Sequence, residues 1–351
     1  MLQRNLTSWQ RPRWQQSLSE AIKDPSELLT LLELPPDALA LSQQMARQFP
    51  MRVPHSYAAR MRKGDPDDPL LRQILPLHAE ELKFSGYYSD PVGDLAAMPL
   101  PGLLHKYHGR VLLITTGACG IHCRYCFRRH FPYGDANPAP GSWRSALDYI
   151  AADSSIAEVI LSGGDPLSLP DQRLAELADQ IGTIPHVKRL RIHSRLPIVL
   201  PERVDAALQE WLSACPLQKV MVVHANHPNE IDEDTAQALR GLQACGVTVL
   251  NQAVLLRGIN DSADILSALS EALFSAGVLP YYLHLLDKVK GAAHFDVSEM
   301  RAVSLINTLQ NRLPGYLVPR LVRETAGTPA KIPVHGLETG TAISEESGAL
   351  L

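Results

Sequence analysis

From about residue 108 the apolar positions gather into short β-rich runs separated by amphipathic stretches. The runs are VLLITT (111–116), EVILSG (158–163), KRLRIHS (188–194), KVMVVHA (219–225), VTVLNQAV (247–254) and LPYYLHLL (279–286). Their starts lie 47, 30, 31, 28 and 32 residues apart. Between them apolar residues recur with a helical period, as in SLPDQRLAELADQIG, where Ser168 or Asp171 is placed to cap a helix. Further helices are expected to start near Pro201, Asp232, Asp261 and Ser298. Strand–helix units of about 30 residues imply parallel strands joined by crossover helices. Six units predict an α/β fold, a partial TIM-like (β/α)6 barrel over residues 108–337, although an open doubly wound sheet shares the periodicity.

Residues 1–107 lack this alternation. Helical segments such as PSELLTLLELP and DALALSQQMARQF are interrupted by prolines, and GDPDDP (64–69) reads as a turn. The region is expected to be a helical N-terminal extension packed on the barrel. The polar stretch 338–351, ETGTAISEESGALL, is expected to be a loose tail.

Composition narrows the classes. The 351 residues are 45% hydrophobic and 20% charged with a net charge of −4, an ordinary globular balance with no general attraction to nucleic acid or an anionic membrane. No apolar run reaches the ~18–20 residues of a membrane span, and MLQRNLTSWQRPRW has no apolar secretion core. Five cysteines, three of them crowded together, do not make a disulfide framework. They point to a reducing, cytoplasmic setting in which clustered thiols bind metal. Lysine is scarce, nine against 24 arginines.

The crowded cysteines are Cys119, Cys123 and Cys126 in CGIHCRYCFRRH, directly after the first run. That position is the face of a parallel αβ barrel where reactions take place. Three thiolates are too few for a closed zinc site. His130 would complete a C-x3-C-x2-C-x3-H zinc set, and the basic residues would then read as a non-catalytic RNA-binding module. The other reading is a 4Fe–4S cluster with three cysteine ligands and one open iron.

The C-x3-C-x-aromatic-C pattern, with Tyr125 as the aromatic, resembles the signature of radical S-adenosylmethionine (SAM) enzymes. There SAM's amino and carboxylate groups chelate the open iron. By the same resemblance Ser162, Gly163, Gly164 and Asp165 of SGGDP, leaving the second run, are expected to contact SAM.

Over nearly its whole folded length the chain also resembles the lysine 2,3-aminomutase family. The resembling stretches are PGLLHKYHGRVLLITTGAC, CRYCFRRHF, LSGGDPL, RIHSRLPIVLPERV, NHPNEI, NQAVLLRGIND, PYYLHLLDKVKGAAHF and PGYLVP. The resemblance implies that Lys331 in RETAGTPAKIP holds pyridoxal phosphate (PLP) as a Schiff base, in a run less rich in glycine than the family's. It implies that Arg128 grips the substrate carboxylate, a task suited to a planar guanidinium. Asp287 and Glu324 would face the distal ammonium of L-lysine; the second position is normally Asp in clostridial-type members, and two acids suit lysine rather than glutamate. Lys106 (an arginine in the family pattern), Tyr107 and Arg110 would surround the PLP phosphate. Ser194 and Arg195 would be cofactor contacts, and His224 and Gln252 would line the SAM side.

The implied reaction is conversion of L-α-lysine to β-lysine, with an external electron donor for the cluster. The chain ends 20 residues after Lys331, without the C-terminal extension of lysine-fermenting members. The short form resembles the bacterial branch that makes (R)-β-lysine for elongation factor P, where a separate lysyl-tRNA-synthetase-like ligase attaches it. The rival expectations are a radical SAM enzyme acting on another amino acid or without PLP, and the zinc module. Arg129, His130, Asn226 and His227 receive no role from the sequence.

Overall fold

The structure, a computed structural model, describes residues 12–136 and 143–335; the tail expected at 338–351 lies outside the described residues. Nine strands form one sheet in sequential order: β1 (Leu103–Tyr107), β2 (Arg110–Thr116), β3 (Glu158–Gly163), β4 (Arg189–Ser194), β5 (Gln218–Val223), β6 (Val247–Val254), β7 (Leu279–His284), β8 (Arg320–Arg323) and β9 (Ile332–Pro333). Neighbours from β2 to β8 are parallel, while β1 and β9 add antiparallel edges. The two ends do not pair, so the sheet is a partial barrel. A strand order that never reverses excludes the doubly wound alternative, which requires a switch point.

The six predicted runs are β2 to β7, and two differences extend them. β8 supplies a seventh parallel strand. β1 pairs with β2 through the two-residue turn His108–Gly109, with Gly109 at φ +74°, so the sheet begins within the region expected to be extension. Between strands, helices such as Asp171–Gly182, Glu233–Ala244 and Ala263–Ser275 bury their apolar faces against one continuous core. Asp232 and Ser298 cap helices as the sequence suggests. Asp171 does not: Pro170 is the N-cap, and the Asp171 carboxylate accepts hydrogen bonds from buried Arg203 and Trp211 instead.

The N-terminal region contains short helices, the longest being the seven-residue Arg13–Ser19 and Pro25–Leu31. DALALSQQMARQF is helical only from Gln43 to Gln48, where Ser42 caps it. This region clamps the barrel mouth. Arg60 donates to the carbonyls of Ile198 and Glu230, and the backbone N–H groups of His122 and Arg124 donate to the carbonyls of Arg52 and Gln73. The cysteine loop is therefore fixed from outside the barrel as well as by β2.

Candidate active site

A cavity of about 670 Å3 opens at the C-terminal ends of the strands, and every site residue named from the sequence lines it. The volume falls in the range of ligand pockets.

The loop after β2 carries Cys119, Cys123 and Cys126, all free thiols. It can lie against the end of β3 and the loop that follows only because Gly163 and Gly164 have no side chains. A Cβ at Gly164 would stand 2.3 Å from the Ala118 carbonyl oxygen, and one at Gly163 would stand 2.7 Å from that of Thr116. Gly163 also has φ +115°, a backbone region open to glycine. These glycines thus seat the cysteine loop, a role distinct from the ligand contact expected of them. Asp165 likewise works as a tie between strands. Its carboxylate accepts from Ser194 Oγ (2.6 Å) and from the N–H groups of Arg195, Leu196 and Leu167. Burial raises its pKa, and those four donors oppose the rise.

Behind the thiols stands a buried polar frame. Arg195 donates from Nη1 to Cys123 Sγ (2.6 Å) and from Nη2 to Tyr57, Gln73 and Glu230. Asn226 donates to Gln73 and Tyr125, while Glu230 accepts the N–H groups of Asn226 and His227. Tyr125 rests edge-on against Phe295 in a satellite apolar cluster. Arg129 joins Arg124 on Glu80, all three side chains being within 2% of full burial. His130 turns away and hydrogen-bonds the Lys290 carbonyl.

The segment between β8 and β9 also lines the cavity, with Glu324, Ala330 and Lys331. The β8–β9 register pairs Arg323 with Ile332, so the next residues outward, Glu324 and Lys331, face each other across the hairpin mouth. Lys331 Nζ lies 2.7 Å from one Glu324 oxygen and Lys106 Nζ 3.0 Å from the other. Burial disfavours the Glu324 charge, but the two lysines more than offset it and hold the carboxyl down to about 2. Lys106 also meets Asp94 at 2.5 Å, and Asp94 accepts from Arg128 Nε at 2.7 Å. Asp94 escaped the sequence reading: it sits in an irregular stretch, 87–99, with no motif around it. The Asp287 carboxylate makes no hydrogen bond or ion pair among the described residues, although the backbone carbonyl accepts from the Val289 N–H at 2.7 Å. Burial, helped by nearby Glu324, pushes its carboxyl up to about 7. Arg110 stacks on Tyr107 at 4.7 Å and has no acid partner among the described residues.

No protein-family model matches the chain. The L-lysine 2,3-aminomutase of Escherichia coli strain K12 is 50% identical over 325 residues, covering 92% of this chain and 95% of its own. The chain belongs to the lysine 2,3-aminomutase family. The Haemophilus influenzae protein of the same name is 50% identical over 91% of this chain and 94% of its own. That of Clostridium subterminale is 34% identical over 93% of this chain and 78% of its own. Membership makes the protein an isomerase of the aminomutase type, and it implies a 4Fe–4S cluster and SAM.

The residues present fit those groups. Burial and mutual proximity push the Cys119 thiol well up and that of Cys126 up to about 11, a shift that a bound cation would reverse. Among the described residues no three His, Cys, Asp or Glu side chains converge as the ligands of one ion would. A cluster bound through three separate irons needs thiols on one wall rather than convergence. The Nε2 atoms of His193, His224 and His284 are buried in the cavity lining without partners, polar demand that a ligand would meet.

Among the described residues no helix is long and apolar enough to cross a membrane.

Proposed function

We propose that the protein is a PLP-dependent radical SAM 2,3-aminomutase that converts L-α-lysine to β-lysine, the R isomer, for modification of elongation factor P by a lysyl-tRNA-synthetase-like ligase. It would act in the cytoplasm and draw electrons from an external donor. The observation that carries the reading is one cavity lined by three cysteine thiols, a lysine, an arginine with donors to spare and a carboxylate without a side-chain partner among the described residues.

Cys119, Cys123 and Cys126 would hold the cluster, and Lys331 would hold PLP through Nζ, with Lys106, Tyr107 and the unpaired Arg110 toward its phosphate. When bound, the cluster with SAM supplies a radical able to take hydrogen from an unactivated C–H bond, and PLP supplies a π system for nitrogen migration. The chain's own residues do the rest. Arg128 takes the substrate carboxylate and Asp287 the distal ammonium, fixing the length and direction of the amino acid between them. Glu324 already holds two lysines, so Asp287 is the acid available to the ammonium, and Glu324 serves to orient Lys331. With SAM and substrate filling the cavity, water would be kept from the reacting carbon.

The experiment is to supply the anaerobically reduced protein, with SAM and PLP, with lysine, glutamate or arginine in parallel. Turnover of lysine alone is expected; product from glutamate or arginine without β-lysine would overturn the substrate assignment, and iron-free protein holding zinc would overturn the cluster.

A further inference from the structure

We propose that Asp94 is a positioning residue that fixes the guanidinium plane of Arg128 toward the substrate carboxylate. The inference rests on the reading of Arg128 given above. Arg128 has two side-chain partners among the described residues: Asp94 Oδ2, which accepts from Nε at 2.7 Å, and Ser162 Oγ, which accepts from Nη1 at 3.3 Å. These contacts use the Nε–H and one of the two Nη1 hydrogens, so Nη2 and the remaining Nη1 donor are left for the cavity that Arg128 lines. The strong contact is the one at Nε. A charge-assisted bond there sets rotation about the last side-chain torsion, and with it the plane in which a carboxylate is received bidentately.

Asp94 is itself held. It is 2% exposed, its N–H donates to Asp90 Oδ1 at 3.0 Å, and its second oxygen takes Lys106 Nζ. Gly93 before it has φ +68°, and a Cβ there would stand 3.0 Å from that of Ala326, beside the Lys331 loop. The stretch 87–99 is also pinned at Tyr88, whose backbone exchanges hydrogen bonds with Lys288 and Lys290 just beyond Asp287. One loop thus ties the residue for the substrate carboxylate to the segments bearing the ammonium acid and the cofactor lysine. The spacing between the two ends of the bound amino acid is then set through Asp94.

The test uses protein loaded with cluster and PLP, comparing wild type, D94N, R128K and the double variant. Read-outs are KM and kcat for L-lysine, the inhibition constant of 1,5-diaminopentane (lysine without its carboxylate), and the iron and PLP contents. D94N is expected to raise the lysine KM about tenfold, the scale of a lost charge-assisted hydrogen bond, with kcat changed less than about threefold. The diaminopentane constant should move less than about twofold, and D94N should add less than about twofold on top of R128K. An unchanged lysine KM in D94N beside a raised one in R128K overturns the proposal alone. An equal rise for diaminopentane, or lost cofactor with KM unchanged in the loaded fraction, reduces Asp94 to a packing counter-ion and also overturns it. An unchanged KM in R128K overturns both the proposal and the carboxylate role beneath it.

Discussion

Replacing Asp287 by Asn is expected to make the cofactor-free protein more stable and the enzyme worse. The Asp287 carboxylate has no partner among the described residues, so the change removes no side-chain hydrogen bond or ion pair, only a charge. Burial pushes its carboxyl up to about 7, about three pH units above an ordinary aspartate, which at ~1.4 kcal/mol per unit is roughly 4 kcal/mol of cost when ionised. The sign follows from linkage. The folded carboxyl keeps its proton up to about pH 7 while the unfolded one loses it near pH 4, so this group's contribution to stability falls as pH rises through that window and is constant above it. D287N lacks this slope. At pH 8 its urea midpoint should exceed that of wild type by the equivalent of about 2–4 kcal/mol, and near pH 4 the two should converge. Lysine binding moves the other way. An ammonium left without its carboxylate in a desolvated pocket loses about 2–3 kcal/mol, or about 30- to 150-fold in KM. A variant less stable than wild type at pH 8, or one with an unchanged lysine KM, would refute the assignment of Asp287 as the free acid.

Three further outcomes follow from the geometry. Lys331→Ala should abolish PLP loading, read as loss of the cofactor's visible absorbance, and turnover with it, while SAM cleavage persists. Gly164→Ala places a Cβ 2.3 Å from backbone that cannot yield, and should cost about 2–3 kcal/mol and lower iron and sulfide content by shifting the cysteine loop. Glu80→Gln leaves Arg124 and Arg129 buried without their anion, so a loss of about 3–5 kcal/mol is expected in thermal unfolding, with cluster content falling alongside.

The strands most legible in the sequence were β2 to β7, whose apolar residues either run on continuously, as in the fully buried β3, or alternate with polar ones, as in β4 and β6. β1 and β8 were missed for physical reasons. LLHKY mixes apolar and charged positions at a sheet edge, and RLVR is too short for a period to register. The three cysteines line one cavity together, since local order along a tight loop is nearly fixed by sequence. Pairings across the cavity were harder. That Glu324 would meet Lys331 and Lys106 depends on the β8–β9 register, which no local pattern encodes. Asp94 lies in irregular chain, and its partners are distant in sequence. Arg129 and Asn226 gain meaning only from Glu80, Gln73 and Glu230 of other segments.

Nitrogen migration within lysine is the central claim, and position-specific labelling tests it most directly. The reduced, fully loaded protein is given L-lysine carrying 15N at the α-amino group, and the product is read by NMR. The account predicts β-lysine with the label on C3. Label remaining on C2, or lysine recovered unchanged while SAM is consumed, would contradict it.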